Sequence, residues 1–212
     1  MSTSIEQLAK LGSEPLSLAP AAAQDYMQVL DKCNIKALQS MLSLKNGFYA
    51  FESALHVFPA ASTLTELGLS EWNASSLWRY AYNGQADGAI FFGEDIFGVQ
   101  FAIRGEAVFT FDPEVGEFEF FANSLEDWAE QLLQSYKLLT GFPLAHEWQI
   151  CNGKIPSSHR LLPKISFCLG GEFKVENLYL LNSTKGMLLR AEIAMQLKDS
   201  PDGTSVKLKI VK

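Results

Sequence analysis

Between Asp112 and Glu130 the chain carries Asp112, Glu114, Glu117, Glu119, Glu126, Asp127 and Glu130, with no lysine or arginine among them. Carboxylates gathered this closely can serve four ends. They can supply a general acid and base, cage a hard cation, make an electronegative docking surface, or form the wetted side of a sheet. The stretch from Gly93 to Phe121, GEDIFGVQFAIRGEAVFTFDPEVGEFEFF, adds Glu94, Asp95 and Glu106 against the single Arg104.

Catalysis would need a second functional group beside these acids. His56, His146 and His159 lie in separate segments. His56 precedes Val57, Phe58 and Pro59 and reads as a core-edge histidine rather than a base. His146 adjoins Glu147, but neighbouring side chains diverge on helix and strand alike. His159 sits in SSHR, and no GxSxG elbow occurs in the chain. The acids fall in turns and on a strand, not in a calcium-binding helix–loop–helix frame. Neither GxxxxGK[ST] nor GxGxxG occurs. Cys33, Cys151 and Cys168 are odd in number, widely spaced and without CxxC, which argues against a disulfide framework or zinc site. The residues thus assign no catalytic group, cofactor or metal, and the chain reads as a non-enzyme.

Two readings of the acids stay open. On the first they are the solvated side of a sheet and the first turns of a helix, where acids suit the helix dipole. On the second they steer a basic protein partner. The candidate contacts are then Asp112, Glu114, Glu117, Glu119 and Asp95, with Phe97 and Trp78 as aromatic anchors and Trp72, Tyr80 and Tyr82 as further candidates. Charge is unevenly spread, at −11 over residues 1–145 and +4 over 146–212, for −7 in all. Such a body suits neither nucleic acid nor anionic lipid. No apolar run approaches the roughly 18 residues of a membrane span. The N-terminus lacks a basic and then apolar leader, and the cysteine pattern fits a reducing cytoplasm.

The elements that must position these residues follow from periodicity and punctuation. Residues 1–19 read as a loose lead-in with a short helix. A helix follows Pro20 with Tyr26, Val29 and Leu30 on one face, then Leu38, Met41 and Leu42 after a break near Asn34, and it stops at Asn46-Gly47. Extended segments at 48–51 and 54–58 precede a short helix with Ser70 as its cap. Strands at 89–92, 99–103, 107–111 and 118–121 are parted by turns at 93–95, 104–106 and 112–114. Turns this short join only antiparallel neighbours. In NSLEDWAEQLLQSYKLL, Ser124 caps a helix whose Leu125, Trp128, Ala129, Leu132 and Leu133 line one face. Residues 142–172 read as a looped connection. A strand, a helix with Met187, Ala191, Ala194 and Met195 on one side, and an alternating strand from Val206 to Ile210 end the chain.

In order and spacing, FFGEDIFGVQFAIRGEAVFTFDPEVGEFEFFANSLEDWAEQLL resembles the SUKH superfamily of Smi/Knr-like domains. It has the Gly-Asp turn, the Phe-Gly before an aromatic strand, the strand ending in Asp-Pro, and the Ser-capped helix with a tryptophan. LSLKNGFYAFESALHVFP resembles the helix, Asn-Gly and aromatic element upstream. The likeness spans about residues 20–136. It implies an α+β fold, with a bent, mainly antiparallel sheet packed against helices. For many bacterial members it also implies an immunity protein that binds a toxin, often a nuclease. The expected organisation is a lead-in at 1–19, a SUKH-like domain at 20–140 and a C-terminal β-α-β extension at 141–212 docked on it. The alternative is a regulatory module in a larger assembly that docks through its basic C-terminal unit.

Overall fold

A six-stranded antiparallel sheet in the order β1 to β6 organises the chain, an α+β architecture. The computed structural model describes residues 2–19 and 32–198. Its strands are β1 (Phe48–Ala50), β2 (Leu55–Val57), β3 (Ile90–Asp95), β4 (Gln100–Arg104), β5 (Ala107–Asp112) and β6 (Glu117–Ala122). β7 (His159–Pro163) and β8 (Leu178–Asn182) make a separate antiparallel pair. The helices are α1 (Ser4–Leu11), α2 (Lys32–Leu44), α3 (Leu69–Trp72), α4 (Leu125–Leu139), α5 (Phe142–Asn152) and α6 (Ser183–Leu197).

Strand alternation divides the sheet into two apolar faces. Phe92 and Phe101 stand against the α4 indole of Trp128, with centroids 5.0 and 5.6 Å away. On the other face, Trp78 meets Phe91 at 5.0 Å, and Phe91 meets Phe111 at 5.6 Å. Leu125, Trp128, Ala129 and Leu132 of α4 are buried, as the spacing predicts, and the Ser124 hydroxyl accepts from Asp127 N at the helix start. Capping of this kind stabilises a helix by about 1 kcal/mol. Leu38, Met41 and Leu42 are likewise buried on α2. That helix runs through Asn34 without the expected break.

Several expectations are corrected. The short helix expected in the lead-in is present as α1, but it is not loose: it has a capping box of Thr3 and Glu6 and buries Leu8 and Ala9. Gly68 rather than Ser70 precedes α3, which ends at Trp72. Gly93, Glu94 and Asp95 continue β3 past a bulge near Phe91, and the turn falls after them. Residues 142–172 are structured, because Pro143 sits in the first turn of α5, where its missing N–H costs no helical bond. β7 escapes notice because Pro156 and Pro163 bracket a short apolar run. β8 and α6 form where expected, and Met187, Ala191 and Ala194 of α6 enter the core shared with the large sheet. The predicted strand from Val206 to Ile210 and the face of Tyr26, Val29 and Leu30 lie outside the described residues.

The β1–β2 connection is strained. Phe51, Glu52 and Ser53 have φ of 51°, 53° and 69°, a left-handed run that costs L-residues about 1 kcal/mol each. α5 clamps it, with His146 Nδ1 2.8 Å from Glu52 Oε2 and Gln149 Nε2 donating to the Glu52 carbonyl at 2.9 Å. Ser53→Gly should relieve one such residue. The expected gain is about 0.5–1 kcal/mol in urea denaturation, and no gain would show that the clamp, not the dihedral, sets the tip.

Candidate functional site

The β5–β6 ribbon carries most of the predicted surface, and the structure sorts its acids by role. Asp112 ends β5 and its Oδ1 accepts from Glu114 N at 2.8 Å, which shapes the turn. Gly116 completes that turn at φ 75°, and a Cβ there would lie 2.5 Å from Gln85 Oε1. Glu117 and Glu119 stand exposed on β6, and neither side chain has a hydrogen bond or ion pair among the described residues. Asp112 lies opposite Glu117 in the ladder, with Thr110 opposite Glu119. Three carboxylates therefore share one face of the ribbon, two of them directly across from each other. Like charges in that position are destabilising.

The other acids have partners. Glu126 accepts from the α1 backbone amides of Ser4 and Ile5, a carboxylate seated at a helix N-terminus. Asp127 accepts from Asn123 N at 2.9 Å, and Glu130 from Gln134 Nε2 at 3.1 Å.

Four expected contact residues prove to be interior. Glu114 is turned in, its Oε2 accepting from Cys168 N at 2.9 Å, so it ties the turn to the β7–β8 connection. Burial raises its carboxyl, and burial together with Glu114 pushes the Cys168 thiol up to about 12. Asp95 is buried because its Oδ1 organises the β3–β4 turn, accepting from Phe97 N at 2.8 Å and Val99 N at 2.9 Å. Phe97 packs under Phe167 and Phe173 at 5.3 and 6.2 Å. Trp78 is fully enclosed by Trp72, Tyr82, Phe91 and Phe111. None of these four can meet a partner in this conformation. Trp72 and Tyr82 are buried too, and of the aromatic candidates only Tyr80 is well exposed. Phe120, at 55% exposure on β6, and Phe173 are surface aromatics that sequence reasoning passes over.

A second constellation was not anticipated. Glu94 of β3 sits fully buried, with Oε1 2.9 Å from Arg160 Nε, 3.2 Å from His56 Nδ1 and 3.1 Å from the Ser183 hydroxyl. Its Oε2 accepts from Gln100 Nε2 at 3.1 Å, and Gln100 Oε1 accepts from Trp72 Nε1 at 2.8 Å. The Arg160 contact is close but poorly aligned, an ion pair rather than a directed hydrogen bond. On the far side of His56, Nε2 lies 3.7 Å from Glu66 Oε2, while Glu66 Oε1 accepts from the Tyr49 hydroxyl at 2.9 Å. The Tyr49 ring stacks on His56 at 4.3 Å, and the Arg160 guanidinium lies 5.3 Å from the same ring.

Burial alone would raise the Glu94 carboxyl, but Arg160, His56 and Gln100 overcome it and hold Glu94 at about 2. Burial also keeps His56 below the ordinary histidine range, against the pull of Glu94. The cluster joins β2, β3 and β4 to β7 and to the first residue of α6. Surface concavities of about 710, 480, 370 and 270 Å³ are lined by other residues. In chemical terms the cluster is a closed ionic clasp, with nowhere among those concavities for a substrate to meet it. Among the described residues no group of three or more His, Cys, Asp or Glu could hold a metal ion, and no helix is long and apolar enough to cross a membrane.

No protein-family model matches the chain, and no curated protein matches it. Among solved structures it is similar to the crystal structure of Atu4351 from Agrobacterium tumefaciens, with a TM-score of 0.56 and 12% sequence identity. The match covers 88% of this chain and 87% of that one, and at such low identity it is a likeness of fold alone.

Proposed function

We propose that this protein is a non-catalytic binding protein of the SUKH type that neutralises a toxin in the cytoplasm, covering a basic active site with the β5–β6 ribbon. One observation carries this reading. Asp112, Glu117 and Glu119 share a face, and the last two are exposed with no side-chain partner among the described residues, in a stretch free of lysine and arginine from Gly105 to Tyr136. A ribbon that tolerates Asp112 opposite Glu117 carries a repulsion that a cationic partner would relieve. The closed state of the His56–Glu94–Arg160 cluster favours binding over bond-breaking. The alternative, docking through the C-terminal unit, is less favoured because Met187, Ala191 and Ala194 spend the inner face of α6 on the protein's own core.

The test is co-expression with candidate basic toxins, scoring survival with the wild type and with Asp112→Lys/Glu117→Lys/Glu119→Lys. Loss of protection by the triple variant is the expected result. The purified variant should be less stable than the wild type by about 1 kcal/mol and still folded, because Asp112→Lys gives up the acceptor for Glu114 N and the pair opposite Glu117 would still carry like charges. Protection that persists in the folded triple variant removes the ribbon from the account.

A further inference from the structure

The two edges of the large sheet are treated differently. β1 is covered: Ser13 N donates to the Tyr49 carbonyl at 2.7 Å, Leu16 N to the Gly47 carbonyl at 2.9 Å, and the Ser13 hydroxyl accepts from Tyr49 N at 3.1 Å. β6 has no strand on its outer side among the described residues. Its ladder with β5 is irregular only near Val108 and Phe109, so Glu117 to Phe120 run straight. An unpaired strand edge offers a row of backbone donors and acceptors to any extended segment that comes alongside.

The side chains on this edge select what can come alongside. Glu117 and Glu119 project from one face, and alternation puts Phe118 and Phe120 on the other. Arg104, the nearest cation in the meander, lies 4.8 Å from the Phe118 ring and so belongs to the opposite face from the acids. A second copy of this chain paired through β6 would bring the Glu117 and Glu119 region against its own like charges, which is unfavourable. A strand with cations at alternate positions and an apolar residue between them meets both faces.

We propose that the β6 edge is completed by an extended segment of a basic protein partner, added as a seventh strand with Lys or Arg at positions i and i+2 beside Glu117 and Glu119 and an apolar residue against Phe120. The proposal rests on the binding reading above and specifies its mode as strand addition. The backbone supplies affinity, and the alternating charges set register.

The probe is a blocked octapeptide of alternating lysine and valine, titrated into the full chain by calorimetry and followed by amide hydrogen exchange. The alternate β6 amides from Glu117 to Phe120 should become protected. N-methylation of alternate residues keeps the peptide's charge but removes its donors, and should weaken binding about tenfold or more. Glu117→Gln/Glu119→Gln should weaken it by a similar factor, and a glutamate–valine peptide should not bind. Equal affinity of the methylated peptide, or β6 amides that exchange unchanged, overturns the proposal. Protection of those amides before any peptide is added also overturns it, since the chain's own residues would then occupy the edge. If the triple lysine variant loses toxin protection while β6 gains no protection, strand addition falls and the binding reading stands. If β6 is protected while the triple variant still protects cells, strand addition stands and the binding reading falls.

Discussion

Arg160→Ala is expected to cost about 3–5 kcal/mol, the range found when one partner of a buried ion pair is removed. Arg160 is wholly buried, and the carboxylate it faces, Glu94, would keep only the neutral donors Gln100 and Ser183 and the histidine His56. Much of the loss would therefore be the cost of a stranded charge. Arg160→Ala/Glu94→Gln should recover a substantial part of it, because the amide can still accept from Ser183 and leaves no charge behind. Urea midpoints of the wild type, the two single variants and the double variant measure this directly. Additive effects would show that Arg160 acts by packing alone.

The pH dependence of the same pair has a definite sign. Glu94 is held at about 2, below its ordinary value, so its contribution is present above about 4.5 and is lost as pH falls through 2. His56 is also depressed, and its contribution likewise fades on acidification, beginning below the ordinary histidine value near 6.5. Because Arg160 and Ser183 add charged and polar links to the apolar contacts by which β7 and α6 meet the large sheet, acid should loosen that junction before the Trp128 side of the sheet, which rests on apolar contacts alone.

The meander was legible because short turns and aromatic alternation leave little choice of pairing, and Leu125, Trp128, Ala129 and Leu132 declared the face of α4. Within the candidate surface, exposure was the weak point. Asp95 and Glu114 look like turn acids bound for solvent, yet each spends its carboxylate on backbone amides, of Phe97 and Val99 in one case and of Cys168 in the other. Nothing in the local pattern separates an acid that caps its own turn from one that faces water. Trp78 and Phe97 failed for the complementary reason, since an aromatic beside a loop can as readily close the core as leave it. The clasp was beyond local reading altogether. His56, Glu66, Arg160 and Ser183 come from separate stretches, and only the tertiary fold brings them to the Glu94–Gln100 pair of the β3–β4 hairpin. One signal was present: a lone arginine opening the apolar run of HRLLP, where an ion-pair partner is needed if the strand is buried.

Asp95→Asn should stabilise the protein at neutral pH, against the usual direction for a buried substitution. Burial raises the Asp95 carboxyl to about 7, overriding the amides of Val99 and Phe97 and the more distant Arg190 and Arg160. A group whose folded value lies above its unfolded one contributes most at pH below about 3.8, and that contribution is lost as pH rises through 7. Above neutrality the folded protein must hold a buried carboxylate, at an order-of-magnitude cost of about 2–4 kcal/mol. Asparagine keeps an Oδ1 acceptor for Phe97 N and Val99 N, so the turn survives while the charge does not. The variant should match the wild type near pH 4 and exceed it at pH 8, with the gap opening between those values. His56 runs the other way over part of the same interval, so the wild type alone would show a shallow profile, and the difference between the two proteins is the clean quantity. Parallel stability curves from pH 4 to 8 would mean that the two backbone amides keep Asp95 ionised throughout, and that the β3–β4 turn is built on a charge rather than on a proton.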